Sequence, residues 1–137
     1  MVATAMMTMV IFMAPYMGLP KMPVWLWLAD FGQMPVLFGW IAHFMIGTTL
    51  AAIYILGFRD WLPGHAIIKG AGYALFPFLV AQTVIMPLIG PGVFSVNNPS
   101  VLPMIGNLTG HLIYGMVLGF MASREAAKDI NGAEIDH

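Results

Sequence analysis

Cysteine is absent and charge is scarce. The 137 residues hold 5 Lys or Arg and 6 Asp or Glu, 8% of the chain, where soluble proteins carry roughly 25%. Without cysteine there is no disulfide framework, no thiol nucleophile, no iron-sulfur cluster and no Cys-ligated zinc. With so few charged side chains the surface of a water-exposed globule cannot be clothed, which excludes a soluble enzyme, a nucleic-acid binder and a disordered segment. Also missing are a buried carboxylate pair, a Ser-His-Asp set, a phosphate-cradling glycine loop and the HExxH motif, so no catalytic activity is expected. What is abundant is apolar: 60% of residues, including 13 Met. The solvent that suits such a chain is lipid.

A helix crossing the ~30 Å hydrocarbon core needs about 20 mostly apolar residues. Four such runs predict an all-α bundle of four transmembrane helices over residues 1–19, 36–58, 70–90 and 103–123, with 124–137 a polar, frayed tail. The i,i+4 pairs in that tail, Arg124 with Lys128 and Glu125 with Asp129, are like-charged and would not support a helix. Lys and Arg fall two in the 59–69 connection and two in the tail, against one in the first connection and none in the third. That imbalance predicts both termini in the cytoplasm of a bacterium, in its inner membrane. Residues 24–31, with Trp25 and Trp27, are expected either to lie along the outer interface or to form a plain loop in which the tryptophans are incidental. Met1 stands almost inside the first run with no basic segment ahead of it, and the run is expected to be a retained helix rather than a signal peptide.

The chain also resembles itself. Pro15-Tyr16-Met17-Gly18 recurs as Pro87-Leu88-Ile89-Gly90, an offset of 72, and Gly39, His43, Gly47, Ala51 recur as Asn107, His111, Gly115, Gly119, an offset of 68. Two helical hairpins related by a pseudo-two-fold axis along the membrane normal are therefore expected. Four-residue steps keep each histidine in a stripe of small residues on one helix face. At 1.5 Å per residue both imidazoles fall about 10 Å below the outer end of their spans.

An ionisable side chain inside a span marks a candidate site. His43 and His111 can each fix helix register by hydrogen bonds, or both can ligate one planar metal macrocycle, haem b or another tetrapyrrole, with Gly47, Gly115 and Gly119 making room for it. In the second case each ring's other nitrogen needs a partner, such as Thr48, Thr49, Asn107, Thr109 or a carbonyl. His65, in a turn, and His137, the last residue, are read as solvated. Met6, Met9, Met13 and Met17 share one face, which could be a Cu(I) thioether ladder or flexible apolar filler suited to irregular packing and contacts with aromatic rings. Pro77 frees the carbonyl of Tyr73 and predicts a kink, and the nearby Gln82 and Thr83 are expected to face the interior.

Ala3-Thr4 with Met7-Thr8, Pro15-x-x-Gly18-x-Pro20, and His111-Leu-Ile-Tyr114-Gly115-x-x-Leu118-Gly119 resemble a family of small bacterial four-span membrane proteins of unknown function. The resemblance implies that topology and no activity. From the residues themselves, the expected role is an accessory subunit of a larger respiratory or photosynthetic electron-transfer complex, partnered by lipid and other membrane subunits. Two features favour a subunit: the small extramembrane mass and the small-residue stripes. The competing expectations are a self-contained bis-histidine haem b protein that passes electrons within the membrane and, after it, copper handling.

Overall fold

The computed structural model describes the backbone of residues 1–135 and the side chains of residues 1–127. His137, and the pairing of Arg124 with Lys128 and of Glu125 with Asp129, lie outside the described residues. Among the described residues the fold is all helical. Helix α1 (Val2–Met13) tightens into a 3-10 turn, Ala14–Met17. Helix α2 (Val24–Phe31) precedes α3 (Val36–Ile53), which continues as a π-helical turn, Tyr54–Phe58. Helix α4 (Ala66–Val80) passes through a second π-helical turn, Ala81–Ile85, into the short α5 (Met86–Leu88). A 3-10 turn, Val93–Ser95, leads to α6 (Leu102–Ile135).

Three of these helices are long and apolar enough to cross a membrane: Val36–Phe58, Ala66–Leu88 and Leu102–Ala127. The first apolar helix, Val2–Met17, is shorter, so the structure carries three spans of full length where four were expected. Residues 24–31 form a helix and not a loop. The chain stays helical past Ser123 into the polar segment, where Glu125, Ala126 and Ala127 are good helix formers and no Gly or Pro intervenes before Gly132.

The tightest packing joins α4 to α6. A Cβ added at Gly70 would run into the carbonyl of Gly115, one at Gly115 into the carbonyl of Gly70 and the Ala74 side chain, and one at Gly119 into the carbonyl of Ala66. Ala66, Gly70 and Ala74 thus form one smooth ridge on α4 and the α6 backbone lies directly on it. In lipid, where no hydrophobic force draws helices together, such close van der Waals contact is a main source of association. The other face of α6 is met by side chains, Met22 over Gly106 and Met7 near Gly110.

Helix α3 is held differently. Its Val36 end is clasped by α2: Trp25 stacks on Trp40 with ring centroids 4.2 Å apart and on Phe12 of α1 at 4.8 Å, and Gly39 admits the carbonyl of Trp25. Further along, Gly47 is covered by the Thr4 side chain of α1. Towards the 59–65 end two hydroxyls reach it from across the bundle: Tyr73 of α4 donates to the carbonyl of Leu50 at 2.8 Å, and Tyr114 of α6 to that of Gly47 at 2.6 Å.

The repeat is visible at the helix ends. Both Pro-x-x-Gly motifs end in a glycine with positive φ, Gly18 at 82° and Gly90 at 109°, the left-handed conformation that stops a helix. The surroundings of the two hairpins differ. Gly115 faces the Gly70 backbone, whereas its counterpart Gly47 faces a threonine side chain, and only α3 is covered by an additional helix, α2. Pro77 lies within α4, and the disturbance of hydrogen bonding appears just beyond it as the π-helical turn ahead of Pro87, which has no N–H to offer.

The glycine contacts give a direct test. Gly115→Ala should lower stability by roughly 1–3 kcal/mol, the usual range for overpacking. Gly72→Ala, at a helical position with open space around it, should be neutral or stabilising by up to about 1 kcal/mol through helix propensity. Thermal unfolding of the two variants in one detergent checks both.

Candidate functional site

Between the helices lies a cavity of about 480 Å³, lined from α1 by Thr4, Met7 and Ile11, from α2 by Trp27 and Phe31, and from α3 by His43 and Gly47. It is further lined from α4 and its continuation by Pro77 and Met86, and from α6 by Asn107, His111 and Tyr114. The two histidines singled out by the repeat thus border one space, seven residues beyond Val36 and nine beyond Leu102. The wall is otherwise nearly all apolar. The lining residues that are themselves exposed, among them Phe31, Ile46, Phe76 and Leu88, carry no polar side chain. Its mouth therefore opens on surface that suits hydrocarbon and not water.

Hydrogen bonds fix which nitrogen of each neutral ring carries the proton. The Thr8 hydroxyl donates its single hydrogen to the carbonyl of Thr4 at 2.7 Å, so towards His43 Nε2, 2.9 Å away, its oxygen can only accept. His43 is therefore the Nε2–H tautomer. His43 is only 6% exposed, and the chain His43 to Thr8 to the Thr4 carbonyl runs in one direction, an arrangement in which each bond polarises the next. His111 is the opposite tautomer. Its Nδ1 lies 2.9 Å from the carbonyl of Asn107, which can only accept, so Nδ1 carries the hydrogen and Nε2 keeps a lone pair.

Two more polar atoms of the lining residues have no partner within the chain: the Oδ1 of Asn107 and the Oγ1 of Thr4, a residue only 1% exposed. Both residues line the cavity, and the two atoms are themselves buried behind its surface. Such groups in an apolar cavity are costly to leave unpaired.

The three glycines expected to clear space for a cofactor do other work in this packing. Gly47 receives Thr4, Gly115 receives Gly70 and Gly119 receives Ala66, so the room they leave is filled by this chain's own helices. Of the three only Gly47 borders the cavity. Thr48 and Thr109 bond to carbonyls one turn back, of Phe44 and Ile105, and not to either imidazole. Met6, Met9, Met13 and Met17 are all exposed, a lipid-facing stripe. His65 is exposed ahead of α4. Gln82 is fully buried as expected, with the Ser95 hydroxyl near its Oε1 at 3.5 Å, but Thr83 is exposed and bonds back to the carbonyl of Leu79. Among the described residues no group of three or more His, Cys, Asp and Glu is placed to hold a metal ion.

Sequence reasoning passed over Thr4 and Thr8 as site residues. They are the only threonines of α1, four residues apart and so on one helix face, and that spacing was the available signal.

The Thr8 bond is testable. Thr8→Val leaves His43 Nε2–H without its acceptor and should cost about 1–3 kcal/mol, while Thr8→Ser should restore most of it. In ¹⁵N spectra of the neutral rings His43 should report Nε2–H and His111 Nδ1–H. A shared tautomer would contradict the assignment.

Comparison with curated proteins and with solved structures finds no match for the chain. A family model, described as a family of unknown function (DUF6789), matches residues 1–130. Within that stretch the packed contacts fall on Ala3, Tyr114 and Leu118, which share one buried cluster, on Thr8 with His43, and on Gly115 and Gly119 against α4. The chain belongs to this family of unknown function.

Proposed function

We propose that the protein binds, within the membrane, a lipid-soluble molecule that has an apolar body and a hydroxyl group to donate. The observation that carries this reading is the open lone pair of His111 Nε2 on the wall of an apolar cavity. A volume of about 480 Å³ lies in the range of small-molecule sites, roughly 300–1,000 Å³, in which a few placed polar groups orient a mostly apolar ligand. Because His111 Nε2 accepts and does not donate, phenols, quinols and long-chain alcohols satisfy it. Ketones, esters and oxidised quinones leave it unpaired. The apolar mouth favours loading from the bilayer.

The same reading places the chain in a bacterial inner membrane, with Val2–Met17 as a short fourth span and both termini in the cytoplasm, supported by the distribution of Lys and Arg. An accessory role in a larger electron-transfer assembly keeps the support of the small extramembrane mass. It loses that of the small-residue stripes, because Gly47, Gly115 and Gly119 are used within the chain.

A second reading is haem held by His111 alone. An Nδ1–H bonded to a carbonyl, here that of Asn107, is the usual way an axial imidazole is oriented with Nε2 free for a metal. His43 does not fit as the opposite ligand through Nε2, because that nitrogen donates to Thr8.

The test uses purified protein in lipid nanodiscs and a short-tailed quinol and its oxidised quinone as probes, with affinity read by fluorescence of Trp27, which lines the cavity. The quinol should bind about threefold to tenfold more tightly than the quinone, the worth of one net hydrogen bond. His111→Leu should erase that preference. Equal affinity of the two forms, or a preference that survives His111→Leu, contradicts the proposal. A Soret band in protein purified from native membranes would instead favour the haem reading.

A further inference from the structure

A second, more polar pocket of about 190 Å³ lies at the opposite end of the spans, in the 59–65 region, where the π-helical end of α3, the start of α4 and the later part of α6 converge. Its polar side chains are Tyr54, Arg59, Asp60, Lys69 and Ser123, and its apolar floor is of small residues, Gly64, Ala66, Gly119, Ala122 and Ala126. Two of the chain's five basic residues meet there. Tyr54 is 0% exposed, yet its hydroxyl has no hydrogen-bond partner. Tyr54 lines the pocket together with Arg59 and Asp60, both of which act on its hydroxyl electrostatically.

The donors there are only partly used. Lys69 Nζ gives one hydrogen to the carbonyl of Arg59 at 3.0 Å and keeps two. Arg59 gives Nε to Asp60 Oδ1 at 3.2 Å, and its Nη2 lies 3.5 Å from Oδ2, so the fork keeps its remaining N–H groups. The Ser123 hydroxyl is committed to the carbonyl of Phe120. No side chain caps the first turn of α4, which begins in this pocket at Ala66. Asp60 is the one carboxylate lining the pocket, against two cations, and it is mostly exposed. With Asp60 taken up by Arg59, Lys69 and Tyr54 have no negatively charged acceptor of their own.

From these features we propose that this pocket binds a phosphate group, with Tyr54, Lys69 and Arg59 as its donors. Charged connections between spans sit at the depth of lipid headgroups, and basic pockets between helices at that depth recognise anionic headgroups. The phosphate of an anionic phospholipid and free phosphate offer the same oxygens, and both can meet these donors. The inference is independent of the ligand proposed for the larger cavity, with which this pocket shares only Tyr54's neighbouring helices and no lining residue.

The experiment is native mass spectrometry of the full chain released from nanodiscs of phosphatidylcholine doped with phosphatidylglycerol, with inorganic phosphate titrated in a parallel arm. One phosphatidylglycerol should be retained per chain in preference to phosphatidylcholine. Lys69→Gln should weaken retention by about tenfold, as expected for losing a charge-assisted bond. Tyr54→Phe, which keeps the ring packed 5.1 Å from that of Tyr73, should weaken it less and leave the unfolding temperature within a few degrees of the parent. Displacement of the lipid by millimolar phosphate identifies the phosphate group itself as the recognised element. Retention that phosphate does not displace but that still falls in both variants identifies the lipid headgroup as the source. Equal retention of both lipids with no phosphate binding, or anionic retention unchanged in Lys69→Gln and Tyr54→Phe, overturns the proposal.

Discussion

Two tyrosine hydroxyls, donating from α6 and α4 to carbonyls of α3, tie α3 to the rest of the bundle. A helix that met α6 through glycine, as α4 does, would close the space between them; a tyrosine side chain spans a ring's length. The Tyr114 bond to Gly47, at 2.6 Å, and the Tyr73 bond to Leu50, at 2.8 Å, therefore act as struts, and Tyr114 also lines the cavity. Their strength in lipid is modest singly, about 0.6 kcal/mol on average for interhelical bonds of this kind. The Tyr73 ring is also packed between Tyr54 and Phe58, which locks its direction.

The chemistry of the cavity follows from what the struts leave unpaired. On the α3 side His43 donates to Thr8 and Thr8 to the Thr4 backbone, while the Thr4 hydroxyl stays unpartnered. On the α6 side His111 turns its proton back to its own helix and faces outward with a lone pair. Two histidines that occupy matching places in the sequence repeat thus have unlike roles, one a register pin and the other an acceptor. The asymmetry comes from α1: its threonines reach His43, and nothing in α4 reaches His111 except the edge of Phe78, 5.9 Å away between ring centroids.

Much of the fold could be read from residues alone where one physical signal dominated. The absence of any charge across 36–58 marked that apolar helix to the residue, whereas the helix over residues 24–31, flanked by Pro23 and Gly32, was not read as one. The placement of His43 and His111 on one cavity followed from four-residue spacing. The purpose of the glycines did not. A stripe of small residues says that something approaches closely, and a flat cofactor and a neighbouring backbone leave the same mark. Gly70, the residue that decides between them for Gly115, lies in another helix. The tautomers were equally hidden, because they depend on Thr8 and on the Asn107 carbonyl, and the first span's length fell short where Pro15 tightened its last turn.

The most direct test of a lipid-loaded cavity is photolabelling. A long-chain alcohol bearing a diazirine, incorporated in proteoliposomes and irradiated, should attach to peptides containing His111, Met86 and Thr4, and competition by an unlabelled alcohol should remove the label while an alkane of the same length does not. Label confined to the exposed stripe of Met6, Met9 and Met13, unaffected by either competitor, would show that the cavity holds no such molecule.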